Sequence, residues 1–172
     1  MEIELYQLIL IALVALGASY IQSVTGFGFG IFAMIFLPYL LVYTEANVLS
    51  SILSCCTSVT VAAVMLKKIN WKNLIFPVLS CTVTTFLAVR FVKSQDNKML
   101  TLLLGIALIC LSLYFLFFSG KIKIKPTWYA GLIAGLLSGL LGGMFSISGP
   151  PVVIYFLQSE KDPDHYLATI SA

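Results

Sequence analysis

Two glycine-rich segments hold the residue types whose chemistry stands out. The first is Thr25-Gly26-Phe27-Gly28-Phe29-Gly30, and the second runs from Gly142-Gly143 to Ser148-Gly149-Pro150-Pro151. Glycine permits a positive φ, while proline halts an incoming helix yet starts a new one well. Each segment therefore reads as a break between two helices. A helix that restarts after a break presents N–H groups without intrahelical partners and the positive end of its dipole. Such an end binds anions without any Lys or Arg. Gln22, Ser23, Thr25, Ser138, Ser146 and Ser148 stand close enough in sequence to add donors, and Asn47 begins the next helix.

The elements that position these segments follow from composition. The chain has 172 residues, of which 60% are apolar and 10% charged, with a mean hydropathy of +1.03. Soluble domains carry about 45–50% apolar and about 25% charged residues. This chain is an integral membrane protein, which excludes most soluble enzyme classes. Its net charge of +3 is too small and too scattered for a nucleic-acid partner. Lipid is its first partner.

Charge-free runs measure out the helices. Leu5–Thr44 gives 40 residues, Ala46–Leu66 gives 21, Asn73–Val89 gives 17, Met99–Gly120 gives 22 and Pro126–Ser159 gives 34. A span needs about 20 residues at about 1.5 Å each. The first and fifth runs are too long for one pass, so each must break, and the glycine segments mark where. The expected fold is all-α: a polytopic helical membrane protein with inverted internal repeats and Gly/Pro-broken helices. Tyr166–Ala172 opens a further apolar segment of seven residues, from which we expect a truncated second repeat.

Sliding the chain by 113 residues aligns the long runs: Thr25 falls on Ser138, Gly26 on Gly139, Gly30 on Gly143 and Pro38 on Pro151. The organisation read from this is a first membrane repeat over 1–95, a linking helix and basic loop over 96–125, and an incomplete second repeat over 126–172. Lys67, Lys68, Lys72, Lys121, Lys123, Lys125 and Lys161 fall on one side of the membrane, against Arg90, Lys93 and Lys98 on the other. That asymmetry makes the first side cytoplasmic and the N-terminus external. The two repeats then enter from opposite faces, the arrangement of secondary transporters whose broken helices form a substrate site near the midplane.

Plainer readings compete at several positions. Gly131, Gly135, Gly139 and Gly143 form a small-xxx-small ladder that suits close helix packing. Gly28, Gly30 and Gly142 mark either close packing or a ligand contact. Ser50-Ser51-Ser54 and Thr82-Thr84-Thr85 read as interhelical hydrogen bonds or back-bonds to i−4. Cys55, Cys56, Cys81 and Cys110 lie in uncharged stretches without CxxC spacing or a nearby His, so they read as apolar fillers with neither metal nor disulfide expected. No span holds a charged residue at its middle, and no nucleophile–base pair, HExxH or P-loop occurs. An enzyme and a cofactor are not expected.

The segments Gln22-Ser23-Val24-Thr25-Gly26-Phe27-Gly28-Phe29-Gly30 and Gly139-Leu140-Leu141-Gly142-Gly143, with Gly149-Pro150-Pro151 downstream, resemble the two signature regions of the sulfite exporter TauE/SafE family. The resemblance spans essentially the whole chain. It implies a bacterial inner-membrane permease moving sulfite or an organosulfonate, with homodimerisation open. Carried over residue by residue, it implies a site of Gln22, Thr25, Gly26, Gly28, Gly30, Gly139, Gly142, Gly143, Gly149, Pro150 and Pro151. Asn47, Ser138 and Ser148 join them on the donor argument. The chain departs from the family where Asp164-His165-Tyr166 stands in place of a basic residue. A non-transporting helical scaffold and a passive anion channel are the competing functions.

Overall fold

The computed structural model describes residues 5–118, 127–160 and 162–172. Its helices are α1 (Leu5–Thr25), α2 (Phe29–Leu40), α3 (Tyr43–Val64), α4 (Trp71–Lys93), α5 (Asn97–Phe118), α6 (Trp128–Phe145), α7 (Gly149–Ser159) and α8 (Pro163–Ser171), with a 3₁₀ turn at Leu66–Lys68. Five of them, α1, α3, α4, α5 and α6, are long and apolar enough to cross a membrane. The chain is an all-α, multi-pass membrane protein. Its outward surface is apolar, as a lipid-facing surface must be: Leu13, Leu102 and Ile109 are each at least 60% exposed. Charge sets the helix ends. α4 outruns its uncharged stretch at both ends because Lys72, Arg90 and Lys93 carry their charge outward on long apolar stems.

The glycine ladder of α6 is spent on packing. A Cβ at Gly131 would meet Pro77 Cδ at 3.3 Å, and one at Gly143 would meet Ala88 Cβ at 2.7 Å. Between them, Gly135 lies on Ser80 and Pro77, and Gly139 on Thr84 and Cys81. Contacts advance four residues at a time in the same direction on both helices, so α4 and α6 run parallel with their backbones in close approach. Thr84 back-bonds to Ser80 O (2.9 Å) and Thr82 to Val78 O (2.8 Å), while Thr85 reaches across to Gly139 O (3.2 Å).

Two units share one plan: a long helix, a three-residue break, a short helix folded back on it, and a third helix. The register between them differs from the 113-residue slide. Phe29 and Gly149, which open α2 and α7, stand 120 apart (149 less 29), as do Tyr43 and Pro163, which open α3 and α8. The slide errs by seven residues, and seven residues are nearly two turns at 3.6 per turn. A two-turn slip keeps small residues on the same helix face, so the ladder matched in the wrong register. In the observed register Ala18 pairs with Ser138, and both are fully buried.

A polar clasp joins the 3₁₀ turn to the α7–α8 link. Lys68 pairs with Asp164, His165 Nδ1 lies 2.8 Å from Lys68 O, and Asn70 and Asn73 each donate to Glu160 Oε1 at 2.8 Å. These two loops therefore lie at one end of the bundle, as the basic asymmetry requires. Lys121, Lys123, Lys125 and Lys161, which carry the rest of that asymmetry, fall outside the described residues.

Candidate functional site

Break one comprises Gly26, Phe27 and Gly28. Gly26 has φ 79° and Gly28 φ 100°, values that a residue with a Cβ resists. Gly26 N–H still bonds Gln22 O (2.7 Å), and the next helix's first bond runs from Phe32 N–H to Gly28 O (3.0 Å). The Thr25 hydroxyl lies 2.8 Å from Ile21 O and 2.6 Å from Phe27 O, so it stitches the turn rather than facing a ligand. By helix geometry the N–H groups of Phe29, Gly30 and Ile31 have no intrahelical acceptor.

Break two comprises Ser146, Ile147 and Ser148. Ser146 adopts the left-handed conformation, with φ 58° and ψ 22°, where break one has Gly26. Its N–H bonds Gly142 O (2.9 Å), and Ile147 N–H reaches Leu141 O (3.3 Å). Ser138 Oγ donates to Ser148 O at 2.5 Å. The start of α7 offers fewer donors than α2, because Pro150 and Pro151 carry no N–H. Of the four N–H groups that a helix start leaves free, Ser148 and Gly149 supply the two of that end.

The breaks touch. A Cβ on Gly30 would fall inside the Ser146 carbonyl, and one on Gly149 would meet the Phe27 ring at 2.7 Å. Each unit's third helix then closes the other unit's break. Tyr43 at the start of α3 donates to Met144 O at the end of α6 (2.5 Å). Tyr166 near the start of α8 donates to Thr25 O at the end of α1 (3.3 Å). Such an exchange is what two units related by an approximate twofold produce.

Between the breaks lies a cavity of about 300 Å³. Of the residues expected in the site, Gln22, Gly26, Gly28, Gly30, Ser138, Ser148 and Gly149 line it. The others stand elsewhere for identifiable reasons. Thr25 closes its own turn, Asn47 caps break two from α3, and Gly139 and Gly143 pack on α4. Gly142 backs onto Ser148 Cβ at 3.0 Å, while Pro150 and Pro151 follow Gly149 into α7. Five further polar residues line it: Ser54, Ser58, Ser146, Thr169 and Ser171. Gln22, only 3% exposed, donates through Nε2 to Ser54 O (3.1 Å) and Ser58 Oγ (2.6 Å) and accepts from Ser54 Oγ (3.0 Å). Ser58 keeps its own proton to give. Thr169 Oγ1 accepts from Asn70 N–H at 3.0 Å, and Ser171 Oγ is buried without a partner. Their partners lie more than 30 residues away in sequence, so local spacing carried no trace of them. The seryl run Ser50-Ser51-Ser54 was the nearest signal, and Ser54 does bond between helices.

A multi-pass helical protein with two broken helices crossing at a partly polar cavity has the build of a secondary transporter. Residues 11–172 match the family described as Sulfite exporter TauE/SafE, and the chain belongs to that family of membrane transporters. No curated protein and no solved structure matches the chain.

Proposed function

We propose that the chain is a secondary carrier for a small anion, sulfite or an organosulfonate, in the inner membrane, and that the cavity between the breaks is its binding site. The observation that carries this is the convergence of both breaks on one cavity whose polar lining is built from donors. The hydroxyl of Ser58, oriented by the Gln22 amide that donates to it, the hydroxyl of Thr169, and the first N–H groups of α2 offer hydrogen bonds to an oxyanion, reinforced by the α2 dipole. Phe27, Phe156, Val152 and Leu74 line the remainder and suit the organic part of a sulfonate. A helical scaffold needs no such cavity. The reading places the N-terminus outside and Lys68 in the cytoplasm.

Flux of labelled sulfite and sulfonates into vesicles carrying the protein tests it. Gln22→Ala removes the amide that holds the Ser58 hydroxyl toward the cavity and should weaken apparent affinity about tenfold, the value of about one hydrogen bond to an ion, with abundance near normal. Thr25→Val, whose hydroxyl only closes a turn, should leave affinity unchanged. Equal affinities for Gln22→Ala and the parent would remove the cavity from the transport path.

A further inference from the structure

We propose that break two holds a sodium ion, with Asn47 Oδ1, the Asn47 carbonyl, Ser51 Oγ and Ser146 Oγ as ligands. Ser146 Oγ lies 2.5 Å from Asn47 Oδ1, 2.6 Å from Ser51 Oγ and 3.0 Å from Asn47 O. Ser51 Oγ lies 2.9 Å from Asn47 O. Four oxygens thus make four short contacts with only two hydroxyl protons among them. The surplus of lone pairs is what a hard cation uses. Binding turns both protons outward and replaces them with the ion.

The surroundings fit a cation. The cluster stands at the C-terminal end of α6, the negative end of its dipole, and broken-helix transporters coordinate sodium at such ends. Tyr43 Oη and Asn47 Nδ2 both approach Met144 O, at 2.5 and 3.4 Å, which holds the Asn47 amide with Oδ1 turned toward Ser146. Ser146 keeps a left-handed backbone (φ 58°) where its counterpart Gly26 (φ 79°) adopts one freely. A hydroxyl retained at a position that favours glycine has a use for its oxygen. In break one the counterparts of Asn47 and Ser146 are Leu167 and Gly26, which offer no side-chain oxygen, so the site belongs to break two alone. All four ligands are neutral, so a monovalent ion suits them better than a divalent one, whose desolvation they would not offset. The short contacts mean the cluster must open to admit an ion, which costs less for the smaller sodium than for potassium.

Thermal unfolding of the purified full chain in detergent, in NaCl, KCl or choline chloride at equal ionic strength, tests this without reference to transport. A bound ion raises Tm by mass action. We expect a saturable rise in sodium of about 2–4 °C over the other two salts. Ser146→Gly keeps the left-handed turn and removes one oxygen, and should fold yet lose the sodium-specific rise. Ser51→Ala should shrink it. Equal Tm values for the parent in sodium and potassium would overturn the site, as would a Ser146→Gly protein that keeps the full sodium rise. Ser146 also lines the anion cavity, so Ser51→Ala, outside that lining, is the variant that separates the sodium site from the anion reading.

Discussion

Break one and break two are built on the same plan and closed by opposite chemistry. In the first, both turn residues of positive φ are glycines, and the covering helix α8 lays Leu167 and Ile170 against Gly26. In the second, a serine takes the left-handed turn, and α3 covers it with Tyr43, Asn47 and Ser51. One joint is mainly apolar, with a single long hydrogen bond from Tyr166 to Thr25 O at 3.3 Å, and the other is a hydrogen-bonded network. Apolar closure is non-directional and tolerates small slides. Hydrogen-bonded closure in a low-dielectric setting fixes geometry and penalises each lost partner.

The contact between the breaks offers the largest perturbation. Gly30→Ala drives a Cβ into the Ser146 carbonyl, a collision of backbone with backbone that no rotamer relieves. We expect about 3 kcal/mol of destabilisation or more, seen as loss of the monodisperse folded species and a collapsed Tm. The reciprocal change, Gly149→Ala, meets Phe27 Cδ2 at 2.7 Å and Phe27 Cβ at 2.8 Å; the ring can turn away, and the Cβ yields only by a small shift of its backbone. About 1–2 kcal/mol is expected there. Equal costs for the two would mean that the crossing is looser than the structure has it, and the contrast between a rigid and a yielding side would fall.

How much of this asymmetry could be read in the sequence depends on the residue. The spans were legible because charge marks helix ends directly, and both breaks were legible because Gly26, Gly28, Gly149 and Pro150 interrupt long apolar runs. Ser146 was not, since nothing in a serine's neighbourhood announces a positive φ. Gly139 and Gly143 were legible as packing residues from the four-residue ladder, and α4 does pack on them; the resemblance also set them in the site, because a glycine that admits a ligand and one that admits a neighbouring helix look alike until the neighbour is in place. The two-turn slip in register has the same origin: helical periodicity fixes a face, not a height. Ser54, Ser58 and Thr169 entered the cavity from helices whose approach only the tertiary fold decides.

The tyrosine caps probe the comparison more gently. Tyr43→Phe leaves Met144 O with a single contact at 3.4 Å and should cost about 1–2 kcal/mol. Tyr166→Phe removes a longer bond, at 3.3 Å, from a break already held by Leu167 and Ile170, and should cost about 0.5 kcal/mol. Chemical or thermal unfolding of both variants side by side measures the difference. A reversed order would place the stiff joint at break one.

The smallest effect is expected at the clasp that anchors α8, the cover of break one. Lys68 and Asp164 are both exposed, and the ion pair is screened by solvent. The Lys68 ammonium beside it holds the Asp164 carboxyl below its ordinary 3.8. The Asp164 carboxylate likewise raises Lys68 above 10.5. A lowered carboxyl contributes stability that is present above its unfolded value and lost as pH falls through its folded one. A raised ammonium contributes stability that is present below its unfolded value and lost as pH rises through its folded one. The pair is charged in both states well inside the interval between 3.8 and 10.5, with the neighbouring His165 also favouring the carboxylate. Asp164→Asn should lower Tm slightly and by the same amount at pH 8 and pH 9, with the difference shrinking in high salt. Cys81, which lines the cavity, reports whether α8 has loosened: its rate of modification by a soluble thiol reagent, in a chain with Cys55, Cys56 and Cys110 replaced by serine, should rise less than in Leu167→Ala. If removing the ion pair opens the cavity more than trimming the apolar cover, break one is held from its polar end, and its contrast with break two disappears.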